Sequence, residues 1–160
     1  MRHARNAGAA TLEFAIVAMA FVSLLLLALE AGWQIVIDAA LGAGARAASR
    51  FGTTGAMVPV GITPPPASRT DSITQLVIQN SGGLLLSSRL IVTETSYASF
   101  ATIASGGAGT PGPGNAEQVV QYTYSYTQPY LTPMAIALTG AQELVHTVKV
   151  TVLNEPFPSS

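Results

Sequence analysis

The sequence contains no cysteine, which excludes disulfides, thiolate metal sites and a cysteine nucleophile. Charge is almost as scarce. Charged residues make up 9% of the 160 positions, against about 25% in a typical soluble domain. The two signs nearly cancel, leaving a formal net charge of −1 and no basic field for nucleic acid. The cations Arg2, Arg5, Arg46, Arg50, Arg69, Arg89 and Lys149 do not gather on one element. His3 and His146 stand too far apart to make a zinc pattern. Catalytic groupings are missing as well. Glu94, Glu117 and Glu143 lie on or beside different strand-like runs, with no spacing that pairs them. The glycine-rich stretch 105–114 lacks the lysine and following helix of a phosphate loop, and no Ser or Thr sits in a nucleophile elbow. The expectation is a protein that is not an enzyme, with no cofactor, no metal and no small-molecule substrate.

What the chain does have is apolar surface. Mean hydropathy is +0.42. The length has room for one membrane-linked segment and one modest domain. Met1 to Gly8 carries Arg2, His3 and Arg5 and no acid. Phe14 to Leu29 then contains one polar residue, Ser23, and counting on to Ile37 adds Glu30 and Gln34. At about 1.5 Å per residue this span crosses a hydrocarbon core of about 30 Å. Leu24 to Leu27 shows no helical stripe, as expected where lipid surrounds a helix.

Three readings fit a basic start and an apolar run. A secretory signal peptide needs a small-residue cleavage site, but Ala18-Met19-Ala20 lies inside the apolar run. A plain transmembrane anchor needs nothing more. The third reading explains more residues. Gly8, four residues, Glu13 and then Phe14 resemble the processing site of prepilin-like proteins. The resemblance implies that a membrane aspartyl peptidase cuts between Gly8 and Ala9, removing a short basic leader and keeping the helix. Glycine lets the backbone extend into a protease cleft, and basic residues hold the leader on the cytoplasmic side. A carboxylate in an apolar segment costs about 2.5–3.5 kcal/mol at a helix centre, so Glu13 needs a partner. The new amine of Ala9 would lie one helical turn away, on the same chain or a neighbour. The plainer account of Glu13 is a first-turn acid after an N-cap at Thr11.

Asp38 to Arg50 is helix-forming through its alanines, with Arg46 and Arg50 four apart on one face. Ala28/Gly32 and Ala40/Gly44 are small-x-x-x-small pairs, which let helices approach closely. Leu29-Glu30-Ala31-Gly32-Trp33, Ala40-Leu41 and Ala45 to Arg50 resemble the TadE-like family, pseudopilin-like proteins of tight-adherence (Flp) pilus assembly. Gly42 and Gly44 depart from that pattern and suggest a softer helix end. Trp33 reads as an interfacial anchor. Glu30 reads equally as a partly buried acid near the outer interface or as a partner in inter-helix pairing.

Gly52, Gly55, Pro59, Gly61 and Pro64-Pro65-Pro66 make residues 51–67 a linker. Ser72-Ile73-Thr74-Gln75 resembles a capping box for a short helix that ends at Gly82-Gly83. Three strand-like runs follow at Arg89–Tyr97, Val119–Thr127 and Leu144–Val152. Tyr122, Tyr124 and Tyr126 share one strand face, either the buried side of the sheet or a contact patch. His146 falls on an apolar strand face, and Met134 to Leu138 reads as a short helical turn. The connection from Ala104 to Ala116 reads as flexible, and Asn154-Glu155-Pro156-Phe157 resembles the ends of some TadE-like chains.

The expected fold is α+β: a long N-terminal transmembrane helix, then a small domain of one short helix and a three-stranded antiparallel sheet. The divisions are a leader at 1–8, a helix at 9–50, a linker at 51–67 and an extracytoplasmic domain at 68–160. The resemblance implies a single-pass structural component of the bacterial cytoplasmic membrane, placed in or at the tip of a surface pilus. Its partners would be a prepilin peptidase, other pilins or pseudopilins and the assembly platform. Its processing site would be Gly8, Ala9, Glu13 and Phe14. Its helix-assembly contacts would be Glu13, Ala28, Glu30, Gly32, Ala40, Gly44, Arg46 and Arg50. The alternative is a surface adhesin or binding module on a simple anchor.

Overall fold

No proline interrupts the first 53 residues, and alanine and leucine dominate them. The backbone accordingly forms one 52-residue helix, α1, Arg2–Thr53. It passes through Thr11, which is therefore interior and not an N-cap, and through Gly42 and Gly44 without a break. The computed structural model describes residues 2–59, 61 and 65–156, with side chains from Gly8 onward. The side chains of the basic leader, Pro64 of the triproline and Phe157 of the C-terminal motif lie outside the described residues.

Three further helices follow: α2, Arg69–Asn80; α3, Phe100–Ala104; and α4, Pro133–Thr139. The strands are β1, Leu90–Tyr97; β2, Thr110–Pro111; β3, Val119–Pro129; and β4, Glu143–Leu153. They form one sheet of order β2-β1-β3-β4, in which β1 is antiparallel to both β2 and β3. The sheet thus has four strands and not the expected three. The extra strand, β2, lies inside the Gly/Pro connection, where two residues are too few to leave a periodic signal. That connection is also tied down at several points. Gly112 donates its N–H to the Glu94 carbonyl at 2.9 Å, and Asn154 Nδ2 donates to the carbonyls of Pro113 at 3.0 Å and Asn115 at 2.9 Å.

The N-cap of α2 is Ser68, one turn before the expected capping box. Its Oγ accepts from the Asp71 N–H at 3.1 Å. Ser72 lies within the helix, where its hydroxyl donates to the Met57 carbonyl at 2.6 Å. The same Ser-x-x-polar spacing occurs at both places, and the chain uses the one that puts an acid in the first turn. Ser81 caps the other end, and Gly82 and Gly83 follow with φ of 67° and 78°, where a side chain would be strained.

The chain divides into two compact units, each discontinuous in sequence. One holds residues 1–35 with 129–144, and the other 36–128 with 145–160. In the second unit the inner sheet face is built from cross-strand pairs: Leu90 opposite Tyr126, Val92 opposite Tyr124, Glu94 opposite Tyr122 and Ser96 opposite Val120. The three tyrosines are buried, so the stripe is core and not a contact patch. Ile37, Leu41, Ala45 and Ala48 of α1 are buried at helical spacing, with Ile73 and Val77 of α2.

Two glycines set how close α1 comes to its neighbours in that unit. A Cβ on Gly44 would meet the Val77 carbonyl oxygen at 2.6 Å, and one on Gly52 would meet the Tyr122 hydroxyl at 2.5 Å. These glycines are contact points for close packing, not soft spots at a helix end.

Two of the tyrosine hydroxyls find partners. Tyr124 Oη and Ser49 Oγ are 2.8 Å apart, and Tyr126 Oη accepts from the Leu86 N–H at 3.3 Å. The Tyr122 hydroxyl is buried without a hydrogen-bond partner among the described residues. His146 is buried on β4, as its strand face suggested, with Nδ1 3.4 Å from Asp38 Oδ1. Asn154 donates its N–H to the Gln118 carbonyl and Glu155 donates to the Thr53 carbonyl, both at 2.9 Å, which ties the C-terminal segment to the end of α1.

Candidate functional site on the N-terminal helix

α1 is long and apolar enough to cross a membrane, with a window of mean hydropathy 2.6 of which none is buried within the chain. Phe14, Ile16, Met19, Phe21, Leu24 and Leu29 all point outward, Phe14 being 73% exposed. A large apolar surface with no protein against it marks a segment made for lipid or partner helices. Ser23, the polar residue of the run, donates its hydroxyl to the Met19 carbonyl at 2.8 Å, so no hydrogen bond is left unmade there.

Gly8, Ala9, Glu13 and Phe14 are all exposed, and nothing lies within 4 Å of a Cβ built on Gly8. Gly8 is helical, and a glycine there lowers the cost of local unwinding by about 1 kcal/mol relative to alanine.

Glu30 is buried at the end of the apolar run, 4% exposed. Gln34, one turn on, donates Nε2 to Glu30 Oε1 at 2.8 Å. The other oxygen, Oε2, accepts from the Leu131 N–H at 2.8 Å, the Thr132 N–H at 2.9 Å and Thr132 Oγ1 at 3.2 Å. Thr132 is the N-cap of α4, and its Oγ1 in turn accepts from the Ala135 N–H at 3.2 Å. Glu30 is therefore the strut that joins α1 to the chain before α4, and its partners there, Leu131 and Thr132, lie 101 and 102 residues away in sequence. Neither sequence reading foresaw that the acid is satisfied within its own chain.

The other expected contact residues separate into two groups. Ala28 and Gly32 are exposed, with nothing within 4 Å of a Gly32 Cβ, and neighbouring Ile35 is 69% exposed. Ala40 and Gly44 are buried inside the second unit. Arg46 and Arg50 are exposed, and Arg46 Nη1 lies 3.3 Å from where a Gly42 Cβ would be, so Gly42 leaves room for the guanidinium to lie back along the helix. Trp33 is half-buried, with Nε1 unpaired among the described residues.

Three acid–base groups of the second unit are shifted by burial. Burial pushes the Glu94 carboxyl above the usual range, opposed by a hydrogen bond from Thr70 and the nearby Arg69 guanidinium. Burial likewise pushes the Tyr122 hydroxyl up to about 12, with Arg69 pulling it down and Glu94 adding to the rise. Tyr124 is raised further, again chiefly by burial, against the Ser49 hydrogen bond. Glu94 and Tyr122 face each other across β1 and β3 in the core.

The class that the fold defines is a single apolar helix, long enough to cross a membrane, bearing a small α+β domain. Residues 8–50 match the model of the TadE-like protein family, so over that segment the chain is similar to TadE-like proteins. The match covers the helix and stops before the α+β domain. No curated protein and no solved structure matches the chain.

Proposed function

We propose that this is a membrane-anchored, pseudopilin-like structural component of tight-adherence pilus biogenesis, and not an enzyme. The observation that carries the reading is the family match over residues 8–50, on a helix whose apolar run lacks any cover from its own chain. In this reading residues 1–8 are a cytoplasmic leader and a prepilin peptidase cuts between Gly8 and Ala9. The freed helix then associates with other pilins, pseudopilins or the assembly platform. Ala28 and Gly32 offer the close-approach face, because both are exposed and carry little or no side chain. Ala40 and Gly44, buried in their own domain, are not offered to a partner. Glu13, exposed at the processing end, pairs with the new amine of Ala9. Arg46 and Arg50 present exposed charge outside the lipid. The domain from residue 68 onward lies beyond the cytoplasmic membrane, after the 51–67 linker. The adhesin reading loses its tyrosine surface, because that surface is core.

N-terminal mass spectrometry of the protein recovered from its host tests this. A mature chain beginning at Ala9 is expected, and Gly8→Val should leave the leader attached. A chain that begins at Met1, or after the apolar run, overturns the reading.

A further inference from the structure

The segment 129–142 belongs to the same compact unit as the apolar end of α1. Its composition is unusual even for this chain. From Gln118 to Gln142 there is no charged residue. Within it, α4 buries Ala135 and turns Leu138 outward at 68% exposure, and Leu131 just before the helix is 51% exposed. Pro133, Ala137 and Ala141 are also exposed. The segment is closed on itself: Thr132 caps α4, Gly140 ends it with φ of 70°, and the Tyr130 N–H donates to the Gln142 carbonyl at 3.1 Å.

Its position along α1 is fixed by Glu30. The carboxylate holds the amides of Leu131 and Thr132, one residue after the apolar run Phe14–Leu29 ends. An uncharged loop with outward leucines is thus pinned at the level where the unbroken apolar run stops. Water offers such a surface no gain, whereas the headgroup and acyl boundary does. Trp33, less than one turn beyond Glu30, is a residue type enriched at that boundary.

We propose that α4 and its flanking chain, residues 129–142, form a foot that rests in the membrane interface. Leu131 and Leu138 dip into the lipid and Glu30 transmits the contact to α1. The occupant of this face is the bilayer on which α1 is anchored, and the proposal rests on α1 spanning that bilayer. The foot sets the depth of the helix, because α1 cannot slide inward without submerging the foot or outward without lifting it clear. Glu30 then acts inside the chain, its charge shielded by hydrogen bonds at a level where an unpaired carboxylate is costly.

The cysteine-free sequence makes the test direct. Single variants Leu138→Cys, Leu131→Cys and Phe21→Cys of the full chain carry an environment-sensitive nitrobenzoxadiazole label. They are reconstituted in phosphatidylcholine–phosphatidylglycerol vesicles, with circular dichroism confirming the fold. An interfacial foot lies about 5–10 Å into the boundary. Labels at Leu138 and Leu131 should therefore be quenched about twofold more by lipids spin-labelled near the headgroup than by lipids labelled near the chain end. The label at Phe21 should show the reverse order. Quenching at Leu138 and Leu131 by aqueous iodide, with Phe21 still lipid-quenched, overturns the foot and leaves the spanning helix standing. Shielding of both labels from lipid and iodide alike means a second copy of the chain covers the face, and this also overturns the proposal. Loss of lipid quenching at Phe21 removes the spanning helix and the foot with it.

Discussion

The two halves of α1 share one backbone geometry and obey opposite rules of composition. Up to Leu29, large apolar side chains occupy every side of the helix and stay exposed, as at Phe14, Val17, Met19 and Leu24. From Ile37 onward, buried positions recur at Leu41, Ala45, Ala48 and Gly52, and their size falls along the helix. The first half has no inward face, which is how a helix looks when its surroundings are as apolar as itself. The second half has a buried face, and its small residues let other elements come close. Hydrophobicity alone does not separate the two halves; the side-chain size at helical spacing does.

Glu30 stands where one rule gives way to the other, so its removal should have the largest effect. Glu30→Ala leaves the Leu131 and Thr132 N–H groups without their acceptor. A loss of about 3 kcal/mol is expected for this cluster of charge-assisted bonds. Hydrogen exchange at those two amides should accelerate by about a hundredfold, since about 1.4 kcal/mol corresponds to a factor of ten. Glu30→Gln keeps an acceptor and should cost about 1 kcal/mol. Unchanged exchange in Glu30→Ala would detach α4 from the helix and dissolve the boundary.

The packing difference is tested by one substitution placed in each half. Gly44→Leu drives a side chain into the Val77 carbonyl and Cγ1, which lie 2.6 and 2.9 Å from the new Cβ. It should destabilise the α+β domain by about 1–3 kcal/mol, even after the gain in helix propensity. Gly32→Leu meets nothing within 4 Å and should leave domain stability within about 0.5 kcal/mol of the parent. Denaturant unfolding in detergent, followed by near-ultraviolet circular dichroism of the tyrosines, compares the two. Equal losses would mean that Gly32 also has a packing partner.

Much of this was legible in the sequence because it depends on local pattern. The apolar run, the break after it, the alternation of Tyr122, Tyr124 and Tyr126 and the valines of β4 each follow from side-chain period. The misses share a different cause. β2 is two residues long and is held by its register with Thr95 and Ser96, a long-range fact. The α2 cap lies at Ser68 although two Ser-x-x-polar tetrads compete, and the Ser72 hydroxyl is taken up by a tertiary bond to Met57. Gly42 and Gly44 looked like weak helix formers because their use lies in what sits beside them. Glu30 was visible as an acid near the outer end of the apolar run, but Leu131 and Thr132, which it holds, lie 101 and 102 residues away. Of the processing end, the structure adds exposure and helicity to a motif that the sequence already carried.

The smallest expected effects come from hydroxyls within the buried tyrosine stripe, and they sharpen what the second half of α1 packs against. Tyr124→Phe removes the partner of Ser49 and should cost about 1–2 kcal/mol. Tyr122→Phe removes a hydroxyl that is buried without a hydrogen bond among the described residues, and should be neutral within about 0.5 kcal/mol or slightly stabilising. Both hydroxyls are raised by burial, Tyr122 to about 12. An acid whose folded pKa is raised keeps its proton in the folded state after the unfolded chain has lost it. Its stabilising effect is complete below the ordinary tyrosine value of about 10 and is lost as pH rises from there toward about 12. Tyrosinate absorbance from Tyr122 and Tyr124 should therefore appear together with unfolding. Tyr122→Phe should flatten the alkaline fall in stability by about one proton. If the slope is unchanged, Tyr122 does not remain neutral in the folded chain, and the stripe beneath α1 is wetter than the burial of its three rings implies.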